Sequence, residues 1–260
     1  MKISLISNPK QKEKWVGKTE PLQEWFRTHC VIEDDPEKAQ WIVTLGGDGS
    51  LLYAMGRYGT QKSYFGINLG HLGFLTSADV TGTSDVLEDV FIRKIYKTEL
   101  VRYLLYRGDG HEGLAVNDVV LKGVRVEEMS RFDVFLNGAF IHTQSADGLI
   151  VSSPVGSTAY NLSVGGSIIH PEAGGYILNS IASHALGIRP LVMGERHTLK
   201  IVPHQPMSLI IDGRLSGTVE GPLEVSLARD AFSLIRTVDW DFYQVLRLKM
   251  HWGKRGEEKC

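Results

Sequence analysis

The sequence contains only two cysteines among its 260 residues, Cys30 and Cys260, and neither belongs to a CxxC pair. This scarcity excludes a disulfide framework and a cysteine-bound structural zinc ion, and it fits a reducing compartment. The nine histidines show no HExxH pattern or other paired ligand spacing, and a GxSxG nucleophile elbow is missing. Zinc hydrolase chemistry and the α/β-hydrolase type of nucleophile are therefore excluded.

An excess of charge of one sign is also lacking. The chain has 28 basic and 30 acidic residues, a formal net charge of −2, so neither nucleic acid nor an anionic membrane is expected as partner. No stretch approaches the roughly 20 apolar residues that span a bilayer, and the apolar run at 2–7 is too short for a signal peptide. We expect a cytoplasmic protein with a small-molecule partner.

Before residue 96, apolar strand-like runs alternate with amphipathic helical patterns, which is typical of a parallel α/β sheet. The predicted strands are 2–7, 41–45 and 64–68. The predicted helices are 11–29, which begins or breaks at Pro21, then 50–55 and 84–94.

Beyond residue 97, strand-like runs follow one another, which indicates an all-β domain. They cover 100–107, 114–121, 132–136, 140–143, 198–202, 208–211, 223–227 and 232–236. A helix is predicted within 157–185, and a short helix or turn over 241–252 is expected to pack back on a domain. We therefore predict an α/β domain over 1–96, joined by 239–260, and a β-rich domain over 97–238.

A glycine-rich loop, Gly46-Gly47-Asp48-Gly49-Ser50, follows the second strand and precedes a helix. This position places it at the carboxyl end of a parallel sheet, where glycine amides and a helix N-terminus can approach phosphate. Asp48 would repel a phosphate unless it binds a hydroxyl nucleophile or a metal. The alternative is a tight turn in which Asp48 only caps the helix. No lysine follows, so the segment is not a Walker A loop.

Two further turns are predicted from glycine positions. Asn137-Gly138 separates two strand-like runs and predicts a type I′ hairpin, because both central residues need positive φ. The literal GxGxxG at 108–113 precedes a strand rather than a helix, so it predicts a hairpin loop and not a dinucleotide fingerprint.

The run from Ser145 to Gly166 concentrates an acid, hydroxyls, glycines and one tyrosine, an inventory that suits a polyhydroxylated ligand with flat rings. A serine- and glycine-rich loop with Tyr160 in the core is the alternative. Asn117-Asp118 interrupts an apolar strand. Adjacent strand residues point to opposite faces, so at least one of the two side chains faces inward or toward a ligand, unless the strand is an exposed edge.

These segments together resemble the NAD kinases. The matching motifs are Gly46–Ser50 for GGDGT, Asn68–Thr76 for NxGxLGFLT, Asn117-Asp118 for NE, and Asp147–Gly166 for DGxxxSTPTGSTAYxxSxGG. Further similarity lies in Arg189–Val192, Ile211–Gly213 and Phe242–Trp252, the last similar to the closing FxxxLRxKLxW.

The resemblance implies phosphorylation of the adenosine-ribose 2′-hydroxyl of NAD to give NADP, with ATP or inorganic polyphosphate as donor and magnesium present. It further implies a Rossmann-like N-terminal domain, a β-sandwich-like C-terminal domain, a C-terminal segment that returns to the first domain, and NAD bound between the domains. Homodimers or homotetramers are implied as well.

The resemblance also implies roles for individual residues. Asp48 would orient and deprotonate the 2′-hydroxyl, and no metal ligand is assigned. The phosphate-proximal loop would comprise Gly46, Gly47, Gly49 and Ser50. The implied NAD contacts are Asn68, Phe74, Asn117, Asp118, Asp147, Thr158, Ala159, Tyr160, Ser163 and Ala182.

The chain departs from the family pattern at a few positions. Ser50 replaces Thr and keeps the hydroxyl, whereas Asp118 replaces the commoner Glu and has a shorter reach. Ser145 stands where many members have Arg, at a position that bears on the choice between NAD and NADH. Val155 replaces a hydroxyl residue. A lipid or sugar kinase, which can also carry a GGDG-like loop, and a catalytically idle NAD-sensing module are the competing interpretations.

Overall fold

A computed structural model describes residues 1–7, 17–70, 73–80, 83–125, 127–185 and 187–251. The chain divides into two compact units, Met1–Leu100 with Phe232–Cys260, and Val101–Ala231. The boundaries predicted from the sequence assign 97–100 and 232–238 to the opposite unit. Within the described ranges, no helix is both long and apolar enough to cross a membrane.

The first unit is an α/β structure. Its elements up to residue 93 are β1 (Lys2–Ile6), α1 (Glu20–His29), β2 (Val31–Ile32), β3 (Trp41–Leu45), α2 (Asp48–Tyr58), β4 (Ser63–Asn68), β5 (Ala78–Asp79), α3 (Thr83–Leu87) and a π-helical segment (Glu88–Arg93). Strands β1 to β4 pair in the order β2-β1-β3-β4, and every pair is parallel. β5 also pairs in parallel with β4. The predicted α/β class of the N-terminal part is confirmed.

The core of the first unit contains a cluster of aromatic rings among aliphatic side chains. Phe91, on the π-helical segment, makes edge-to-face contacts with Phe26, Trp41 and Phe65 at centroid distances of 5.0, 5.6 and 5.3 Å. Large rings contribute much buried area and prefer such tilted geometry. This cluster fixes helix α1 against the parallel sheet.

The second unit is built from strands with little helix. Its elements begin with β6 (Lys97–Gly108), which starts in the first unit, and continue with β7 (His111–Ala115), β8 (Asp118–Gly123), β9 (Ser130–Leu136), β10 (Ala139–Ala146), β11 (Gly148–Ser152), a 3₁₀ turn (Val155–Thr158), α4 (Tyr160–Ser163), β12 (Gly175–Ile181), β13 (Leu191–Gly194), β14 (Thr198–Pro203), β15 (Met207–Ile211) and β16 (Arg214–Val219).

Two antiparallel layers enclose the core of this unit. One layer has the order β13-β12-β11-β8-β15-β16. The other contains β10, β9 and β14, followed by β17 (Leu223–Arg236). Inward side chains of both layers, such as Leu121, Val151, Val134 and Val225, form one buried cluster. The predicted β-sandwich-like C-terminal domain is confirmed.

Both hairpin predictions hold in the structure. Asn137 and Gly138 have φ values of 50° and 82°, and they join β9 to β10 through the pair Leu136–Ala139. Asp109 and Gly110, at 50° and 76°, connect β6 to β7. The GxGxxG segment is therefore a hairpin loop.

The chain returns to the first unit through β17, whose residues Ser233 and Leu234 pair in parallel with β4. Helix α5 (Phe242–Met250) follows, and Asp241 caps it by accepting a hydrogen bond from the Gln244 N–H at 2.7 Å. Residues 232–251 belong to the same compact unit as 1–100, in agreement with the predicted return of the C-terminal segment. Trp252 lies outside the described residues.

The helix predicted at 84–94 is confirmed as helical structure, α3 followed directly by the π-helical segment. Other secondary-structure predictions were wrong. The 114–121 strand is two strands, β7 and β8. The strands predicted at 223–227 and 232–236 are the single strand β17. The helix predicted within 157–185 is limited to the 3₁₀ turn and α4, because Gly165 has a φ of 78° and the run 175–181 is strand β12, which lies between β13 and β11.

The predicted helix over 11–29 is only partly described. Helix α1 begins at Glu20 with Pro21 in its first turn, where the missing proline N–H does no harm. Residues 11–16 lie outside the described part of the chain.

Replacing Phe91 by Ala should lower the free energy of unfolding by about 3–5 kcal/mol, because it removes the ring shared by the aromatic cluster. Urea denaturation followed by circular dichroism measures the change. Ile92→Ala is the matched control, since that side chain is 45% exposed and should lose well under half as much. Equal losses in the two variants would contradict the assigned core.

Candidate active site

The glycine loop of the first unit connects the buried strand β3 to helix α2. Gly46 has a φ of 151°, which suits glycine, and its N–H donates to the Ile67 carbonyl at 3.0 Å. Gly47 is the N-cap residue of α2 in an extended conformation, and Asp48 is the first helical residue. The alternative in which Asp48 serves only as the helix cap is therefore wrong.

Asp48 directs its carboxylate to a second loop of the same unit. Its Oδ2 accepts the N–H of Phe74 at 2.9 Å, and its Oδ1 accepts the N–H groups of Leu75 and Thr76 at 3.1 and 3.0 Å. Hydrogen bonds between backbone amides and an ionised carboxylate are stronger than neutral ones. Asp48 is half-buried, and these three donors fix the orientation of its carboxylate.

The loop that binds Asp48 has its own internal support. The Thr76 hydroxyl accepts the Gly73 N–H at 2.9 Å and the Asn68 Nδ2–H at 3.3 Å. A Cβ atom on Gly73 would lie 2.0 Å from Asp48 Oδ1, so only glycine fits there. Asn68, predicted as an NAD contact, is buried and uses its amide within this loop. Residues 71–72 of the motif lie outside the described ranges.

Arg236 packs on the other side of this loop and is 1% exposed. Its Nη2 donates to the Phe74 carbonyl at 3.0 Å, and its Nη1 donates to the carbonyls of Leu75 and Thr76 at 2.8 and 3.1 Å. The residues from Phe74 to Thr76 therefore give all their N–H groups to Asp48 and all their carbonyls to Arg236.

Ser50 and Phe74 complete the predicted residues of the first unit. Ser50 is fully buried on α2, and its hydroxyl lacks a hydrogen-bond partner among the described residues. It faces the interior, unlike the half-buried Gly47 and Gly49. Phe74 is half-buried, and its ring centroid lies 6.3 Å from that of Phe242.

The Asn117-Asp118 pair lies at the start of β8 in the second unit. The Asp212 carboxylate accepts the N–H groups of Val116, Asn117 and Asp118 at 2.9, 2.7 and 3.2 Å. Asn117 Oδ1 is buried and has no partner in the described part of the structure. The backbone of Asn117 is therefore held by Asp212, whereas its side-chain oxygen is still available as a hydrogen-bond acceptor.

Asp118 is 4% exposed. Burial, with a smaller contribution from the nearby Asp212 carboxylate, raises its pKa to about 7. Burial also raises the pKa of Asp212, against the effect of the three N–H donors. The buried Asp118 carboxyl group therefore directly follows, in the sequence, a residue whose Oδ1 has no partner in the described part of the structure.

The serine- and glycine-rich segment packs directly on Asn117. A Cβ on Gly156 would lie 2.0 Å from the Asn117 carbonyl oxygen, and the Ser153 N–H donates to that oxygen at 2.9 Å. The 3₁₀ turn and α4 follow, with Thr158 and Ala159 half-buried and Tyr160 37% exposed. Tyr160 is therefore not an ordinary core residue.

The structure does not bring all predicted NAD contacts of the second unit together. Asp147 precedes β11 and its N–H donates to the Ile181 carbonyl, next to Ala182, whereas Asp118 pairs with Ser152 at the far end of that strand. The five residues of β11 separate the two ends by about 13 Å at roughly 3.3 Å per residue. Asp147 and Ala182 are exposed.

A cavity of about 1000 Å³ in the second unit is lined by none of the predicted residues. Its lining includes the charged residues Arg102, Glu195 and Arg229. Its size alone does not identify a site, because no buried unpaired polar atom of the described residues belongs to its lining.

Sequence reasoning missed the roles of Asp212 and Arg236. Asp212 stands before Gly213 in the β15–β16 hairpin, so it reads as a turn residue with φ of 48°. Arg236 is the last residue of an apolar run. Nothing in the neighbouring sequence indicates that this arginine is buried or which groups it binds.

The raised pKa of Asp118 predicts how stability depends on pH. Between about pH 4 and pH 7 the folded state keeps a proton that the unfolded state has lost, so stability falls as pH rises, by roughly 4 kcal/mol at most. Asp118→Asn removes this dependence and should therefore gain stability relative to the parent at pH 8 but not at pH 4.

Urea unfolding of both proteins at the two pH values measures this difference. The exposed Glu112→Gln, in the same unit, is the control and should show a pH-independent difference. A constant gap between Asp118→Asn and the parent across the range would contradict a buried, protonated Asp118.

Two family profiles match this chain, one in its N-terminal part and one in its C-terminal part. The profile of the ATP-NAD kinase N-terminal domain matches residues 1–95, and that of the ATP-NAD kinase C-terminal domain matches residues 116–237. An NAD kinase of Coxiella burnetii is 37% identical over 238 residues, covering 85% of this chain and 78% of the relative. An NAD kinase of Moorella thermoacetica is 36% identical over 240 residues, covering 86% and 75%.

Solved structures agree on the fold. Yeast NADH kinase complexed with NADH superposes with a TM-score of 0.86 at 21% identity, covering 100% of this chain and 90% of the other. An NAD kinase from Archaeoglobus fulgidus in complex with ATP gives 0.82 at 22%, covering 96% and 99%. With profiles matching both halves and relatives above 30% identity over most of its length, the chain belongs to the NAD kinase family.

Proposed function

We propose that this NAD kinase transfers the terminal phosphoryl group of ATP to the adenosine-ribose 2′-hydroxyl of NAD, with Asp48 as the catalytic base. One observation supports the role of Asp48 above all: a half-buried carboxylate at the carboxyl end of a parallel strand, held by three backbone N–H groups. Phosphoryl transfer needs alignment more than covalent chemistry, and a carboxylate held in this way can orient a hydroxyl.

The step involves one bond formed and one broken. Asp48 accepts the hydrogen of the 2′-hydroxyl, whose oxygen bonds to the terminal phosphorus as the bond from phosphorus to the bridging oxygen breaks. ADP leaves with that bridging oxygen, and the proton remains on the Asp48 carboxyl until solvent removes it. A positioned general base of this kind contributes roughly 10²- to 10⁴-fold to rate.

The donor phosphates are proposed to bind the loop of Gly46, Gly47, Gly49 and Ser50 at its half-buried residues Gly47 and Gly49, while the buried Ser50 side chain supports the loop from the interior. The first turn of α2 begins at Asp48, and the N–H groups and dipole at a helix N-terminus favour phosphate. The missing Cβ atoms of the glycines allow close approach. Inorganic polyphosphate presents the same chemistry and remains a candidate donor.

Magnesium is proposed to enter with the donor phosphates. No group of three or more His, Cys, Asp or Glu side chains lies together within the described ranges. Mg²⁺ is commonly held by one or two carboxylates, with phosphates and water completing its shell. Asp48 fits that requirement because its Oδ2 accepts a single backbone N–H. The ion would neutralise charge on the phosphates.

The NAD contacts are assigned by chemistry. Asn117 has an unpaired buried oxygen that can accept from an adenine amino group, and Asp118 can hydrogen-bond a ribose hydroxyl. Phe74 and the exposed Tyr160 offer rings to flat groups of the coenzyme. The remaining proposed contacts are Asn68, Asp147, Thr158, Ala159, Ser163 and Ala182.

We place the enzyme in the cytoplasm as a homodimer or homotetramer without nucleic-acid or membrane partners. The balanced charge and the two isolated cysteines support the compartment. Asp147 and Ala182 are exposed and lie at the far end of β11 from Asn117, which leaves them accessible to a second copy. Light scattering after size-exclusion chromatography measures the assembly.

Asp48→Asn should lower kcat for NADP formation by about 10²- to 10⁴-fold while the KM for NAD stays within a few fold, because the amide cannot accept the hydroxyl proton. A coupled NADP-specific dehydrogenase assay with ATP and NAD measures both constants. Polyphosphate and NADH, tested as donor and acceptor in the same assay, determine the preferred pair.

Asp85→Asn is the control, since Asp85 is an exposed acid of the same unit and should retain full activity. Near-parental turnover of a folded Asp48→Asn would remove Asp48 from the mechanism. A parent protein that binds NAD in calorimetry but forms no NADP would instead indicate the sensing module.

A further inference from the structure

We infer that Arg236 is a positioning residue for the catalytic carboxylate, acting through the backbone of the loop from Phe74 to Thr76. The inference rests on the proposed function of Asp48. Arg236 does not contact Asp48 through a hydrogen bond; instead it binds the opposite edge of the three residues whose N–H groups hold Asp48.

The hydrogen bonds of this loop converge on two charges of opposite sign. All three N–H groups end on Asp48 within 2.9–3.1 Å, and all three carbonyls end on Arg236 within 2.8–3.1 Å. The two peptide units that join Phe74 to Leu75 and Leu75 to Thr76 therefore lie between an anion and a cation, with their N–H ends toward Asp48 and their carbonyl ends toward Arg236. Each charge favours the same loop conformation as the other.

The guanidinium is anchored independently of the loop. Its Nε donates to Glu99 Oε2 at 2.7 Å, and its Cζ lies 3.7 Å from the ring centroid of Trp240. Glu99 binds only Nε, so both Nη groups can donate to the loop carbonyls. An arginine whose Nε is hydrogen-bonded and whose guanidinium stacks on a ring holds its two Nη groups in one orientation.

The loop lacks comparable support elsewhere among the described residues. The Asn68 and Thr76 side chains brace its start, and the Phe74 ring packs near Phe242. None of these contacts satisfies the carbonyls of residues 74–76. Without Arg236, three buried or half-buried acceptors would lack donors, so the loop would rearrange and release the Asp48 carboxylate.

Lysine at position 236 tests the fork geometry, since it keeps the positive charge but lacks the two parallel donors. Arg236→Lys should lower kcat for NADP formation about tenfold, and Arg236→Met about 100-fold, the effect expected when a reacting group moves by about an ångström. The KM for NAD should rise by a smaller factor in both variants, because the proposed NAD contacts of the second unit, such as Asn117, do not depend on this loop.

Two controls separate positioning from loss of stability. Phe91→Ala destabilises the same unit without contacting the loop, and below its melting temperature it should keep the parental kcat. Arg229→Gln removes an exposed arginine from the same strand and should change neither constant. Folded Arg236 variants with kcat within threefold of the parent, or with only KM raised, would overturn the inference. If Arg236→Met does not fold, Arg236→Lys decides.

A second measurement does not depend on activity. Hydrogen exchange by NMR should show that the amides of residues 74–76 lose at least about tenfold protection in Arg236→Lys but not in Phe91→Ala, measured relative to the rest of the unit. Unchanged protection would overturn the inference. If the parent protein forms no NADP, the proposed function fails, while amide exchange still decides whether Arg236 orders the loop.

Discussion

A carboxylate that accepts three consecutive backbone N–H groups is the interaction on which both candidate sites depend. Asp48 binds the amides of residues 74–76 in the first unit, and Asp212 binds those of residues 116–118 in the second. In each case one side chain replaces several strand or helix hydrogen bonds, so that a stretch of irregular backbone is held as firmly as regular structure. Both aspartates are half-buried, and they differ in position: Asp48 follows the carboxyl end of the parallel strand β3, whereas Asp212 lies in the hairpin between β15 and β16 and orders the start of β8.

Gly73 and Gly156 are glycines because the backbone at each position lies very close to another group of the site. The neighbouring sequence gives no reason for a glycine at either position. Gly73 has no room for a Cβ because Asp48 Oδ1 would be 2.0 Å away, and Gly156 has none because of the Asn117 carbonyl. Neither residue has a positive φ. Their function is to let two segments touch, and a larger side chain would displace the group that the site requires.

The sequence predicted the features that depend on local chemistry. The glycine loop after a buried strand indicated the position of Asp48, and the Asn137-Gly138 pair indicated a hairpin. Near residue 96, alternating helical and strand patterns give way to strand patterns alone, and this change separated the two fold classes. Features that depend on distant partners were missed. Arg236 lies at the end of an apolar strand, and only the folded chain supplies Glu99 and three loop carbonyls for it. Periodicity likewise cannot separate a fully buried strand such as β12 from a helix.

Strand β17 runs without interruption from Leu223 to Arg236. The sequence suggested a break near Arg229-Asp230, but partners on β6 occupy that stretch: Arg102 donates to the Ala228 carbonyl and Tyr103 to the Asp230 carboxylate. Neighbouring residues of a strand point to opposite faces, so adding or removing one residue turns every following side chain to the opposite face. Insertions and deletions among relatives of this chain should therefore accumulate in the hairpin loops and spare 223–236, since one added residue there would turn the Arg236 guanidinium away from the carbonyls of residues 74–76.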